Sequence, residues 1–116
     1  MNYPARPSRG EVWKVDLDPT VGHEQGLTRP ALVISVDQLN HGPSELVTIV
    51  PITSKPRKIP IHIHVKRGQG GLEKDSWILC DQIRTLSVRR FIKPYEAVDD
   101  HVMEHVEETI RIVLGL

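Results

Sequence analysis

Glu11-Val12-Trp13-Lys14-Val15-Asp16-Leu17 decides the fold class, because its apolar residues return at every second position. Trp13, Val15 and Leu17 share one face of an extended chain, and Lys14 and Asp16 share the other, as the two-residue period of a strand requires. The same reading continues downstream. Ala31 to Val36 and Leu46 to Ile52 are apolar runs of strand length. Pro51, near the end of the second run, predicts an edge or a bulge, since proline has no N–H for the ladder. Ile61, Ile63 and Val65 alternate with His62 and His64, which predicts a half-buried strand with both histidines on its wet side. Asp75 to Asp81 and Ile83 to Leu86 give two further strands, and a short seventh falls near Phe91.

Only the end of the chain changes period. Val102, Val106, Ile110, Val113 and Leu114 make one stripe at helical spacing, with Glu104, Glu107 and Glu108 off it. Asp99 is placed to cap this helix and Gly115 to stop it. Short strands separated by turn signals predict a mainly β fold, a small barrel closed or covered by the C-terminal α-helix. At 116 residues the chain is one domain. Residues 1–8, with two prolines and no periodicity, read as a loose end before a single domain over 9–116.

Composition narrows the class. The chain is 39% hydrophobic and 26% charged, within the ordinary range of globular domains. Its one cysteine, Cys80, can form no intrachain disulfide and sits in the apolar run Trp77-Ile78-Leu79-Cys80, where a thiol is usually inert packing. No signal peptide is visible, and the longest apolar run is too short to cross a bilayer, so a cytoplasmic location with no membrane partner is expected. Net charge is zero but unevenly spread. Residues 51–90 carry nine Lys/Arg against three Asp/Glu, a net +6, between segments of net −2 and −4. A basic middle between acidic ends suggests one face that meets an anion.

Two patterns lead nowhere. His101-Val102-Met103-Glu104-His105 spells a zinc-protease motif, but the helix ends too soon to supply a third ligand. No metal and no cofactor are expected. Neither a G-x-S-x-G elbow nor a glycine-rich phosphate loop is present, and Gly70-Gly71 reads as a turn. The informative stretch is Asp16 to Pro30, a polar connection longer than a hairpin needs. It gathers a carboxylate, an imidazole, an amide and a guanidinium within Glu24, His23, Gln25 and Arg29. Pro30 biases Arg29 toward extended geometry, at the mouth of a strand.

Arg9-Gly10-Glu11-Val12-Trp13, Asp18-Pro19-Thr20, Gly22-His23-Glu24-Gln25-Gly26 and Arg29-Pro30-Ala31-Leu32-Val33-Ile34 together resemble the opening of MazF/PemK-type (Kid-type) toxins. Pro51-Ile52-Thr53-Ser54 resembles the second motif of these toxins, Asp81-Gln82-Ile83-Arg84-Thr85-Leu86 the third, and Ile112-Val113-Leu114-Gly115 the closing helix. Four matches in order, from Arg9 to Gly115, are far more specific than any one of them. The resemblance implies an SH3-like/CcdB-type β-barrel of about seven strands. It also implies a toxin endoribonuclease (an mRNA interferase) that cleaves single-stranded RNA, chiefly mRNA, at chosen sequences, without metal or ribosome. A homodimer is implied, and a cognate MazE-like antitoxin with an acidic, disordered tail as inhibitor. Carried over by position, Arg29 and Thr53 match the central catalytic pair, and Glu24 an acidic residue in support. His23 is a serine in other branches of the family. An arginine that some members place two residues before the equivalent of Asp81 is Leu79 here, a departure that counts against a mechanism requiring it.

These residue types suit the chemistry. RNA supplies its own nucleophile, the 2′-hydroxyl. A guanidinium matches the phosphate geometry and stays charged, so Arg29 would stabilise the charge gathered at phosphorus. Thr53 would hold the scissile phosphate in line, and Glu24 is a better proton acceptor than an arginine whose pKa exceeds about 12. His23, Gln25, Asp81, Gln82 and Arg84 are candidates for reading base edges. Ser54 would bind substrate, and Lys55 and Arg57, with Lys58, Lys66 and Arg67, would track its phosphates. Two rivals share the scaffold: a CcdB-like gyrase poison, which depends on a C-terminal tryptophan absent here, and a barrel acting only as a binding module.

Overall fold

Alternate residues of the central strands enter two different cores. The computed structural model describes residues 5–116, so the expected loose end falls partly outside the described residues; Ala5 packs against a core and Pro7 is buried. The strands are β1 (Glu11–Asp16), β2 (Thr28–Val33), β3 (Leu46–Thr53), β4 (His62–Val65), β5 (Ser76–Leu79), β6 (Arg84–Ser87) and β7 (Phe91–Ala97). Among the described residues two α-helices, α1 (Asp37–Asn40) and α2 (Asp100–Leu114), and two 3-10 turns at Gln69–Gly71 and Val88–Arg90 complete the fold. All pairings are antiparallel, in the order β4-β5-β3-β2-β1-β7, with β6 also on β3. The fold is the expected one, mainly β with a C-terminal helix, but the ladder stays open between β4 and β7.

Trp13, Val15, Ala31, Val33, Val47 and Ile49 turn to one core, closed by Leu86, Val88 and Phe91. Val12, Leu32, Val50 and Ile52 turn to the other, closed by Ile63, Val65, Ile78 and the helix residues Val102 and Val106. Burial on both faces explains why β2 and β3 are near-continuous apolar runs rather than alternating ones. Burying these side chains supplies most of the stabilisation, at roughly 1.5–3 kcal/mol for each Val, Leu or Ile.

Three expectations about the strands need correction. Pro51 lies on an interior strand, not an edge or a bulge: β3 pairs with β6 over Leu46–Ile49 and with β5 over Ile52–Thr53. Pro51 falls in the gap between those partners, where a missing N–H costs no ladder bond on that side. His62 is buried, because β4 turns it inward toward Asp81; only His64 is on the wet side. The seventh strand is no stub but spans Phe91–Ala97 along β1.

The helix begins after Asp99 and ends at Gly115, which takes a left-handed conformation (φ 71°) as a C-terminal stop favours. The Asp99 side chain does not cap; it accepts from Gln69 Nε2 at 2.7 Å. Val102 and Val106 reach the core and Ile110 packs against it, whereas Leu114 is exposed. Gly70, in the turn before β5, has φ +60° and leaves no room for a Cβ, which would lie 2.4 Å from Val12 Cγ2. No helix among the described residues is long and apolar enough to cross a membrane.

Ile78 is fully buried between β4 and β3, whereas Ile112 on α2 is 77% exposed. Ile78→Ala should destabilise the fold by about 2–5 kcal/mol, and Ile112→Ala by under about 0.5 kcal/mol. Urea denaturation midpoints of the two variants check this; equal shifts would refute the division of the core.

Candidate active site

The β2–β3 register brings two of the sequence-predicted residues together. Ala31 pairs with Pro51, and continuing that register by two residues sets Arg29 opposite Thr53. Both line one cleft of about 260 Å³, together with Ser54, Glu73, Lys74 and Lys93. Thr53 is 6% exposed, and its Oγ1 accepts from Lys55 N at 3.2 Å, which leaves the O–H free to donate. Arg29 Nε is buried and has no hydrogen-bond partner among the described residues. An unmet buried donor is costly, and its natural acceptor is an anion entering the cleft. Lys74 and Lys93 add two cations against the single carboxylate of Glu73.

Glu24 is not brought to that pair. Its Oε1 accepts from Val21 N at 2.9 Å, within its own loop. It lines a second recess of about 330 Å³ with His23, Arg57, His62, Asp81 and Gln82. His62 Nε2 lies 2.8 Å from Asp81 Oδ1 there. The expected substrate residues therefore divide between two depressions, Ser54 in the first and His23, Arg57, Asp81 and Gln82 in the second. Lys55, directly after Thr53 and Ser54 in the chain, is exposed and lines neither depression.

Several of these side chains organise the protein itself. The connection from Leu17 to Leu27 is closed at its base by Leu17 N to Leu27 O at 2.9 Å and Leu27 N to Asp18 Oδ1 at 2.9 Å. Arg84 donates to Leu17 O at 2.7 Å, and Arg90 donates to the carbonyls of Asp16 and Asp18. Gln25 is buried, its N–H donating to Gln82 Oε1 at 2.7 Å and its own Oε1 accepting from Arg57 at 3.5 Å. Arg84 and Gln25 thus act on the loop in this structure rather than standing free for a base.

The chain matches the family described as PemK-like, MazF-like toxin of type II toxin–antitoxin systems over residues 8–114. It belongs to that family. It is 38% identical over 109 residues to Endoribonuclease EndoA of Bacillus subtilis, covering 93% of this chain and 94% of that protein. Its fold matches MazF (Form-I) of Deinococcus radiodurans with a TM-score of 0.86 at 27% identity, over 97% of this chain and 99% of the other. A MazE–MazF complex (Form-II) of the same organism matches at a TM-score of 0.77 and 29% identity, over 97% and 98%.

Within this PemK/MazF-family toxin the opening motif is architectural. Glu11 Oε1 accepts from Ser8 N at 2.6 Å and from Trp13 Nε1 at 3.1 Å. Arg9 donates to Ile34 O and pairs with Glu107 on α2 at 2.9 Å. Burial, and secondarily the Asp81 carboxylate, pushes the Cys80 thiol up to about 12, so no thiolate nucleophile is available near neutral pH. His101 and His105 line a third recess with His64 and Lys66. No group of three or more His, Cys, Asp or Glu is arranged to hold a metal among the described residues.

Sequence reasoning missed Glu73, Lys74, Lys93 and Tyr95, all in the Arg29 cleft. Lys74 could have been suspected from the basic middle segment. Lys93 could not, because it reaches the cleft only through the pairing of β7 with β1, where Lys93 stands opposite Lys14.

If Arg84 anchors the loop, Arg84→Ala should raise amide exchange of residues 18–27 by about tenfold or more, the value of a charge-assisted hydrogen bond. Exchange unchanged there, in a variant that stays folded, would refute the anchoring.

Proposed function

We propose that this endoribonuclease toxin cleaves single-stranded RNA at chosen sequences, independently of metal ions and of the ribosome. The observation that carries this reading is that Arg29 and Thr53 line one cationic cleft, with a buried guanidinium N–H that no acceptor among the described residues meets. The 2′-oxygen attacks the adjacent phosphorus, the P–O5′ bond breaks, and the products are a 2′,3′-cyclic phosphate and a 5′-hydroxyl. Arg29 stabilises the negative charge that grows on the non-bridging oxygens. Thr53 donates to one of them and holds the group in line. The 2′ proton passes to a carboxylate, and the 5′-oxygen is protonated as it leaves. Glu24 takes that role only by leaving Val21 N, whereas Glu73 already lines the cleft. The geometry favours Glu73 in the free protein.

Base choice falls to the second recess, where His23, Arg57, Asp81 and Gln82 surround space for an unstacked base. Stacking contributes little, since aromatics make up 4% of the chain and Trp13 is buried. An antitoxin of the MazE kind would inhibit by laying an acidic, disordered tail across the cationic cleft. The site of action is the cytoplasm, where mRNA is available. A second reading as a gyrase poison or a pure binding module leaves the unmet Arg29 donor without a use.

Purified protein incubated with a long single-stranded RNA in excess EDTA should yield discrete fragments ending in 2′,3′-cyclic phosphate. Arg29→Ala should slow cleavage by about 100-fold or more, with an unchanged thermal midpoint, and Thr53→Val should slow it too. Activity that vanishes in EDTA and returns with zinc or magnesium would overturn the mechanism. An Arg29→Ala variant within about threefold of the parent would remove Arg29 from it.

We further expect a two-fold homodimer, the commonest closed assembly, whose shared groove brings two basic segments along one RNA. Light scattering at micromolar concentration should give about twice the 13.1 kDa protomer mass; a single 13.1 kDa species would refute it.

A further inference from the structure

Among the described residues, His62 is the one imidazole that is both buried and bonded to a carboxylate at close range. Its side chain is 2% exposed, and its Nε2 lies 2.8 Å from Asp81 Oδ1. An ionised carboxylate can only accept, so Nε2–H donates. The β4–β5 ladder sets His62 opposite Leu79, two residues before Asp81, so the imidazole supports the carboxylate from beneath as the chain leaves β5. His62 Nδ1 is buried with no partner among the described residues. A phenyl ring would fill the same space without that unmet nitrogen, so packing alone does not account for a histidine here.

Three other groups of the recess are engaged with the β1–β2 loop. Gln82 Oε1 accepts from Gln25 N, Arg57 donates to Gln25 Oε1, and Glu24 holds Val21 N. Asp81 is one-third exposed, and its Oδ2 has no partner among the described residues. One carboxylate oxygen of this recess-lining residue is thus pinned, and the other is left as an acceptor with no partner among the described residues. Such an acceptor suits the exocyclic amino group of a base and repels the carbonyl oxygen that uracil offers at the same edge.

We propose that His62 is a positioning residue that fixes Asp81 to select a base bearing an exocyclic amine at one position of the cleaved RNA. The inference rests on the reading that the protein cleaves RNA and that the second recess receives a base. It is tested by sequencing the fragment ends that each variant produces from a random-sequence RNA pool. For the parent, one position of the motif should exclude uracil. In His62→Phe that exclusion should weaken by about tenfold or more, with the other positions of the motif unchanged. His62→Gln, whose amide can donate from a similar reach, should restore it. Asp81→Asn, which adds a donor, should shift that same position toward uracil.

A uniform fall in cleavage at every site in His62→Phe, with the motif intact, would mean a merely structural histidine and overturn the proposal. If His62→Phe proves unfolded by thermal melting, Asp81→Asn decides, and an unchanged motif in that variant overturns the proposal by itself. A parent that cuts none of the pool would instead remove the RNA-cleavage reading on which the proposal stands.

Discussion

Strand β3 must satisfy three neighbours with two edges. Along one edge it pairs with β2; along the other it pairs first with β6 and then with β5. Its residues from Val47 to Thr53 are buried or nearly so, so both faces and both edges are spoken for. Everything else is arranged around that demand. The change of partner is accommodated where Pro51 removes an N–H, and beyond it the strand ends with Thr53 opposite Arg29. The candidate catalytic pair is therefore a consequence of β-register, and a slip of one residue would turn one of the pair away from the other.

The second constraint is the long connection between β1 and β2. A polar loop of this length would ordinarily be loosely held. Here backbone groups of the loop are taken up by Arg84, Arg90, Gln82 and Asp18, and Gln25 is buried beneath it. Two of the nine cations in the basic middle segment are used in this way, so that segment is not simply a phosphate track. The loop becomes a wall of the second recess, through His23 and Glu24, and Asp81 is held there by His62. The cationic cleft is thus separate from the recess that holds His23, Glu24, Asp81 and Gln82.

Much of the architecture was legible along the chain. The alternation in Glu11–Leu17, the apolar runs around Leu32 and Val50, and the helical stripe from Val102 name seven strands and one closing helix. The physical reason is that burial on one face or two leaves a period in the sequence itself. Legibility failed where a residue's environment came from a distant strand. His62 alternates as if it faced water, yet Asp81 draws it inward. Glu24 lies five residues before Arg29, yet the loop carries the two into different depressions.

Local sequence therefore determined the elements and their order, and its contiguous motifs carried the family resemblance that marks Arg29 and Thr53 as the pair to watch. Only the tertiary structure decided which of the candidate residues share a site. Lys93 arrives beside Arg29 through the pairing of β7 with β1, Glu73 and Lys74 through the turn that precedes β5, and His62 beneath Asp81 through the β4–β5 ladder. Such neighbours are set by long-range register, and register depends on how the whole sheet buries its two faces, a property that no single stretch of sequence contains.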